Sequence, residues 1–83
     1  MYAVEFLPSA AKALEKLDIS VRRRIASRID RFASDPRAEA IKLRATDAIW
    51  RARVGDYRIL YEIFDDRVLV LVIKIGHRRD VYR

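Results

Sequence analysis

The sequence contains no cysteine, and only two glycines and two prolines interrupt it. Without cysteine no disulfide can form, so an 83-residue chain has to fold on the packing of one thin core. Long apolar runs are also missing, because the longest, Val68 to Ile73, is far below the roughly 20 residues that a membrane-spanning helix needs. No basic start followed by an apolar stretch suggests a signal peptide. We therefore expect one cytoplasmic domain over residues 1–83, with no membrane association.

Acidic residues are fewer than basic ones. The chain has 12 acidic residues against 18 lysines and arginines, most of them arginine, for a net charge of +6. Arginine favours planar, bidentate contacts with phosphate and carboxylate groups. The composition therefore predicts an acidic partner, which could be RNA, DNA or an acidic protein. A basic surface that serves only solubility is the alternative.

The first half of the chain reads as a strand and two helices. Residues Tyr2 to Leu7 alternate as in a strand, and Pro8 ends them. Ser9 is the expected N-cap of a short helix, and Asp18 is the expected N-cap of a second helix that stops at Asp35 and Pro36. In the second helix an apolar stripe should oppose a basic one. The apolar stripe is Ile19, Ile25, Ile29, Phe32 and Ala33, and the basic one is Arg22, Arg23, Arg24 and Arg31.

The second half reads as four strands, Ile41 to Arg44, Ile49 to Val54, Tyr57 to Phe64 and Arg67 to Ile75. Two-residue turns are expected at Gly55-Asp56 and at Asp65-Asp66. The order β-α-α-β-β-β-β predicts an α+β fold, in which a two-helix hairpin packs on one face of a mainly antiparallel sheet.

A two-residue turn at Gly55-Asp56 fixes the side-chain neighbours on the strands it joins. Counting outward from the turn pairs Arg53 with Arg58 and leaves Arg51 on the same face. The same count at the second turn puts Val68 in the core and Arg58 beside Ile73. The expected core residues are Trp50, Ile59, Tyr61, Val70 and Val72.

The C-terminal residues should bring more polar groups to the end of the sheet that holds Arg53. They are His77, Arg78, Arg79 and Tyr82. Only Asp56, Glu62 and Asp80 are near enough to neutralise the arginines there, so the excess charge predicts a phosphate site. Guanidinium groups around Tyr82 should hold its pKa below the ordinary value of about 10 and favour a role as general base. An ion-pair network, a Tyr82 ring that covers the core and a surface His77 are the structural alternatives.

Three stretches together resemble the RelE-type toxins of the RelE/ParE group. They are "FLPSAAKALEKL", "IKLRATDAIWRARVGDYRILYEI" and "LVIKIGHRRDVYR". The resemblance implies a RelE-like fold and a toxin of a toxin–antitoxin pair, held inactive by a RelB-like antitoxin with an acidic segment in a heteromeric complex. It also implies a ribosome-dependent endoribonuclease, an mRNA interferase that enters the ribosomal A site, cleaves mRNA and inhibits translation.

The resemblance assigns roles to named positions. The catalytic residues it implies are Arg51, Arg53, Arg58, Arg78 and Tyr82, and the expected substrate contacts are Lys42, Arg44, His77 and Arg79. Relatives often carry lysine where this chain has Arg51 and Arg53, and arginine is a poor base, which moves that role to Tyr82. The chemistry implied is attack of the RNA 2′-OH on the neighbouring phosphate. It needs no cofactor or metal, and the sequence has no His/Cys cluster or carboxylate pair at metal-ligand spacing.

Two other functions fit the same residues. A ParE-like toxin of this fold would inhibit DNA gyrase and cleave no RNA, and a non-catalytic module would only bind RNA or protein through its basic face. An apolar strip on that face is the expected docking site of the antitoxin. Its residues are Leu60, Phe64, Leu69 and Leu71.

Overall fold

A computed structural model describes residues 1–38, 40–42 and 48–77 of the chain. Five strands form one mixed sheet in the order β1-β5-β4-β3-β2, in which β1 runs parallel to β5 and the other neighbours are antiparallel. The predicted α+β order is confirmed. No helix within the described ranges is long and apolar enough to cross a membrane. The elements are β1 (Ala3–Phe6), α1 (Pro8–Glu15), α2 (Ile19–Ser34), β2 (Ile41–Lys42), β3 (Ile49–Val54), β4 (Tyr57–Phe64), a 3₁₀ turn (Asp65–Arg67) and β5 (Leu69–His77).

The two helices begin differently. Asp18 caps α2 as predicted, because its carboxylate accepts a hydrogen bond from the Ser20 backbone N–H at 3.2 Å. The predicted Ser9 cap of α1 is wrong. Leu7 is the N-cap residue without a side-chain hydrogen bond, and Pro8 takes the first helical position, where its fixed φ and missing N–H are no cost.

One face of α2 covers the sheet. Ile25, Ile29 and Phe32 are buried there, but Ile19 is 52% exposed and does not belong to the stripe as predicted. The helical period explains the difference, because Val21 lies one turn before Ile25 and packs against the core in its place.

The predicted core is largely confirmed. Ile59, Tyr61, Val70 and Val72 are fully buried, and Trp50 is partly buried against them. Tyr61 stacks on Phe32 with ring centroids 4.3 Å apart and donates its phenolic hydrogen bond to the Pro36 carbonyl. Burial raises the pKa of Tyr61 to about 12, so the phenol stays protonated in the interior.

The connection between β4 and β5 differs from the predicted two-residue turn. A 3₁₀ turn ends at Val68, which has a left-handed φ of 50° and is 47% exposed, so its predicted place in the core is wrong. Asp65 is held from outside the turn, because the Tyr2 hydroxyl donates to it at 2.6 Å and Arg37 donates to both carboxylate oxygens at 3.2 and 2.8 Å. These tertiary contacts select the longer connection.

The longer connection and a β-bulge change the register of β5. Leu60 pairs with Lys74 while Tyr61 pairs with Val72, which leaves Ile73 without a partner on β4. Arg58 therefore lies opposite Gly76, and the predicted pairing with Ile73 is wrong.

Candidate functional site

The β3–β4 hairpin carries the centre of the candidate site. Gly55 adopts the positive φ of 56° that a tight turn requires, and the predicted register is confirmed. Arg53 is directly opposite Arg58, and Arg51 is opposite Leu60. These four side chains share the sheet face opposite the buried core, which we call the outer face.

Arg58 is buried, with only 8% of its surface exposed. Its Nε and Nη1 atoms are buried and have no hydrogen-bond partner among the described residues, and no described carboxylate forms an ion pair with it. A buried guanidinium without such partners costs several kcal/mol, at an order of magnitude, unless an anion joins it. The residue on the neighbouring strand is Gly76, which adds no side chain at this position. An oxyanion that displaced the atoms now covering these nitrogens would compensate the buried charge.

Arg28 is the other buried arginine of the described chain, at 4% exposure, and it has a different environment. Its Nη2 donates to the Ala38 carbonyl at 3.2 Å, and its guanidinium lies 5.8 Å from the centre of the Phe32 ring. Arg28 is therefore anchored within the protein, whereas the Nε and Nη1 atoms of Arg58 have no acceptor among the described residues.

Two predicted substrate contacts lie on the other face of the sheet from Arg58. Lys42 pairs with Trp50, and His77 pairs with Tyr57, whose ring it meets edge-on at a centroid distance of 5.6 Å. His77 is at the expected end of the sheet, but the bulge in β5 reverses the side-chain alternation before it. The structure thus brings Arg51, Arg53 and Arg58 together on one face and does not add Lys42 or His77 to them.

The remaining predicted site residues lie outside the described residues. They are Arg44, Arg78, Arg79 and Tyr82, together with Asp80, a predicted ion-pair partner. Their roles stay predictions.

A second basic site was not predicted. A cleft of about 390 Å³ opens between α2 and the end of β3. Four of the residues that line it, Arg24, Ser27, Arg28 and Arg31, follow the i, i+3, i+4, i+7 spacing of one helix face. That spacing is visible in the sequence, but the sequence alone places Arg24 and Arg31 on the solvent side of an amphipathic helix, and Arg28 is not among the residues predicted for either stripe.

Comparison with known proteins identifies the family. The family described as "ParE toxin of type II toxin-antitoxin system, parDE" matches residues 4–82. The chain belongs to this RelE/ParE superfamily of toxins. It is 32% identical over 79 residues to the "mRNA interferase toxin RelE" of Escherichia coli K12, covering 93% of this chain and 83% of that protein.

Other relatives of this superfamily agree. "Toxin RelG" of Mycobacterium tuberculosis is 33% identical over 88 residues, covering 99% of this chain and 97% of that protein. The toxin fold in the crystal structure of the intact E. coli RelBE toxin–antitoxin complex matches with a TM-score of 0.84 at 30% identity, covering 93% of this chain and 96% of that one. Both sequence and fold thus place the chain among type II toxins.

Proposed function

We propose that this protein is the toxin of a type II toxin–antitoxin pair and that it cleaves mRNA on the ribosome without a metal ion. Membership of the toxin superfamily and similarity to proteins named mRNA interferases support the proposal. The observation that carries it is the buried Arg58, which keeps two nitrogens without a described partner directly beside Arg53. A cation pair of this kind suits a phosphate that carries extra negative charge in the transition state.

In the proposed reaction the RNA supplies the nucleophile. The 2′-oxygen attacks the adjacent phosphorus, the bond from phosphorus to the 5′-oxygen breaks, and the products are a 2′,3′-cyclic phosphate and a 5′-OH. Arg53 and Arg58 bind the non-bridging phosphate oxygens and stabilise the charge of the phosphorane. Preorganised donors of this kind contribute about 3 kcal/mol each to transition-state stabilisation.

Two proton transfers complete the reaction. Tyr82, in its phenolate form, takes the proton of the 2′-OH, and Arg78 protonates the leaving 5′-oxygen. The resulting phenol and neutral guanidine then return to their starting states by proton exchange with water. Arg51 orients Tyr82 or the substrate backbone. His77 is a weaker candidate for the acid than Arg78, because its side chain lies on the other face of the sheet from Arg58.

We also propose that a RelB-like antitoxin inhibits the protein by covering the outer face. The similar E. coli toxin was crystallised in such a toxin–antitoxin complex. Beside the arginines the outer face carries half-buried apolar side chains, and the pair Phe64 and Leu69 continues this surface along the sheet. A segment with both acidic and apolar residues would match the two kinds of surface.

The test is toeprinting of a translated message with purified toxin, followed by analysis of the RNA ends. Wild type should cut on the ribosome in the presence of a metal chelator, as long as the message is already bound, and should leave 2′,3′-cyclic phosphate or 3′-phosphate together with 5′-OH. Arg58→Ala should lower the rate by about 10²- to 10³-fold. Arg67→Ala is the control, because Arg67 is exposed in the β4–β5 connection, and it should cut normally. Ends that carry 5′-phosphate and 3′-OH would exclude attack by the 2′-OH.

A gyrase inhibitor is the second candidate, because the matching family description is that of a ParE toxin. A supercoiling assay with purified gyrase distinguishes the two functions. Inhibited gyrase beside an intact message would assign the protein to the gyrase inhibitors. An intact message with active gyrase, together with RNA binding, would leave only a binding module.

A further inference from the structure

The cleft beside α2 is a second concentration of arginine, and the buried Arg58 is not among the residues that line it. We call it the α2 cleft and define it by Arg24, Ser27, Arg28, Arg31, Arg53 and Val54. Arg53 belongs both to this cleft and to the cross-strand pair with Arg58. The two basic sites are therefore continuous around the end of β3.

The β3–β4 turn sets the position of one wall of the cleft. The guanidinium of Arg24 lies close to Gly55. A Cβ atom added to Gly55 would be 3.1 Å from Nη2 of Arg24. Gly55 also has a positive φ, so two independent constraints favour glycine there. The absence of a side chain lets Arg24 lie against the turn, next to the strand that carries Arg53.

The chemistry of the lining favours a polyanion. No acidic residue of the described part of the chain lines the cleft, and neither Arg24 nor Arg53 forms an ion pair with any described side chain. Among the described residues of the lining, only Val54 is apolar. An antitoxin segment of mixed apolar and acidic character would find little to bury here, whereas a phosphate backbone needs only the guanidinium groups.

We propose that the α2 cleft binds a second backbone phosphate of RNA, so that RNA runs from the outer face around the end of the β3–β4 hairpin to α2. This inference rests on the proposed function for its ligand class and adds a binding site to it. The phosphate could belong to the message or to ribosomal RNA, since both present the same group. The α2 residues of the cleft contribute affinity and positioning and take no part in the chemical step, whereas Arg53 serves both sites.

Two matched pairs of variants test the cleft. Arg24→Gln removes a charge from the cleft, and Arg23→Gln removes the same charge from the adjacent exposed position on α2, outside the cleft. Ser27→Glu adds a negative charge to the cleft, and Ala26→Glu adds it at the adjacent exposed position outside. All four positions are exposed, so the fold should survive, and circular dichroism with thermal unfolding verifies this.

Binding is measured in two arms that do not require cleavage. The first is fluorescence anisotropy of a short single-stranded RNA with 2′-O-methyl sugars over a range of salt concentrations, and the second is co-sedimentation with ribosomes that carry a message. Arg24→Gln should reduce the slope of log affinity against log salt by about 0.7, the value for one phosphate contact on a single strand. Ser27→Glu should weaken binding about tenfold by placing like charges together. Arg23→Gln and Ala26→Glu should change both quantities much less.

The outcomes separate the two proposals. Loss in both arms identifies the message as the ligand, and loss only with ribosomes identifies ribosomal RNA. The proposed RNA site in the cleft would be wrong if Arg24→Gln and Arg23→Gln had equal effects in both arms and Ser27→Glu and Ala26→Glu did too. That result would hold even if the wild-type protein cleaves mRNA. Conversely, the wild-type protein could cut no RNA while the cleft variants still lose RNA binding. The proposed nuclease activity would then be wrong, and the proposed RNA site would stand.

Discussion

The guanidinium of Arg58 gives a prediction in which stability and activity move in opposite directions. Arg58→Met keeps most of the side-chain volume and removes a buried charge, so the free energy of unfolding should rise by about 1 kcal/mol while cleavage is lost. Urea unfolding measures the first effect and toeprinting the second. Arg23→Met on the exposed side of α2 should change neither. A clear loss of stability in Arg58→Met would mean that the charge is already compensated in the free protein.

The proposed base gives a second prediction at the scale of one atom. Tyr82→Phe keeps the ring and removes only its hydroxyl group, so it should abolish most cleavage while ribosome binding stays close to that of wild type. His77→Ala should cost much less, since the His77 ring meets Tyr57 on the other face from Arg58. Single-turnover cleavage and co-sedimentation separate rate from binding. Normal cutting by Tyr82→Phe together with failure of His77→Ala would transfer the base role to His77.

Among the elements, the two hairpin connections show what local sequence could and could not predict. Gly55 and Asp56 form a strong turn signal, and the register of Arg53 and Arg58 followed from it correctly. Asp65 and Asp66 gave a weaker signal, which tertiary contacts overrode. Tyr2 and Arg37, distant in sequence, hold Asp65 and favour the longer connection. No local pattern in the turn reports those partners.

The contacts of Asp65 predict how stability responds to acid. Hydrogen bonds from Arg37 and then Tyr2 hold the pKa of the Asp65 carboxyl below its ordinary value. Because the folded pKa is the lower one, the contribution to stability is complete above the unfolded pKa of about 4 and is lost as pH falls through the folded value. Asp65→Asn should therefore flatten the acid side of a plot of melting temperature against pH.

Asp66→Asn is the control for this measurement, because the Asp66 carboxylate only approaches Arg67, at 3.9 Å. It should retain the wild-type acid dependence. If the melting temperatures of the two variants depend on pH in the same way, the hydrogen bonds to Asp65 do not stabilise the turn in solution.

For the whole molecule, the distribution of charge and apolar surface predicts the footprint of an inhibitor. Amide hydrogen exchange of the toxin with its antitoxin should show protection over residues 51–60 and over the apolar strip of the outer face, since the proposed inhibition covers the site. The exposed side of α2, near Arg23, should exchange as in free toxin. Protection confined to the helices would contradict inhibition by covering the arginines.

The candidate site was predictable in part because it depends on one tight turn. The face shared by Arg51, Arg53 and Arg58 follows from residues close to Gly55. The positions of Lys42 and His77 depend on strand pairing farther away, and the unpaired Ile73 changes the alternation of β5 before His77. The α2 cleft requires the packing of a helix against β3, which helical spacing alone does not specify.

The bulge at Ile73 divides β5 into two segments whose side chains follow opposite phases. Before it Val70 and Val72 enter the core, and after it Ile75 does so, while Gly76 comes to the position opposite Arg58. If Ile73 were deleted, β5 could place either its core residues or the residue opposite Arg58 on the correct face of the sheet, but not both. An insertion or deletion at this point would therefore move the residues that follow it to the other face of the sheet, and the extra residue allows the core and the arginine face to be specified separately.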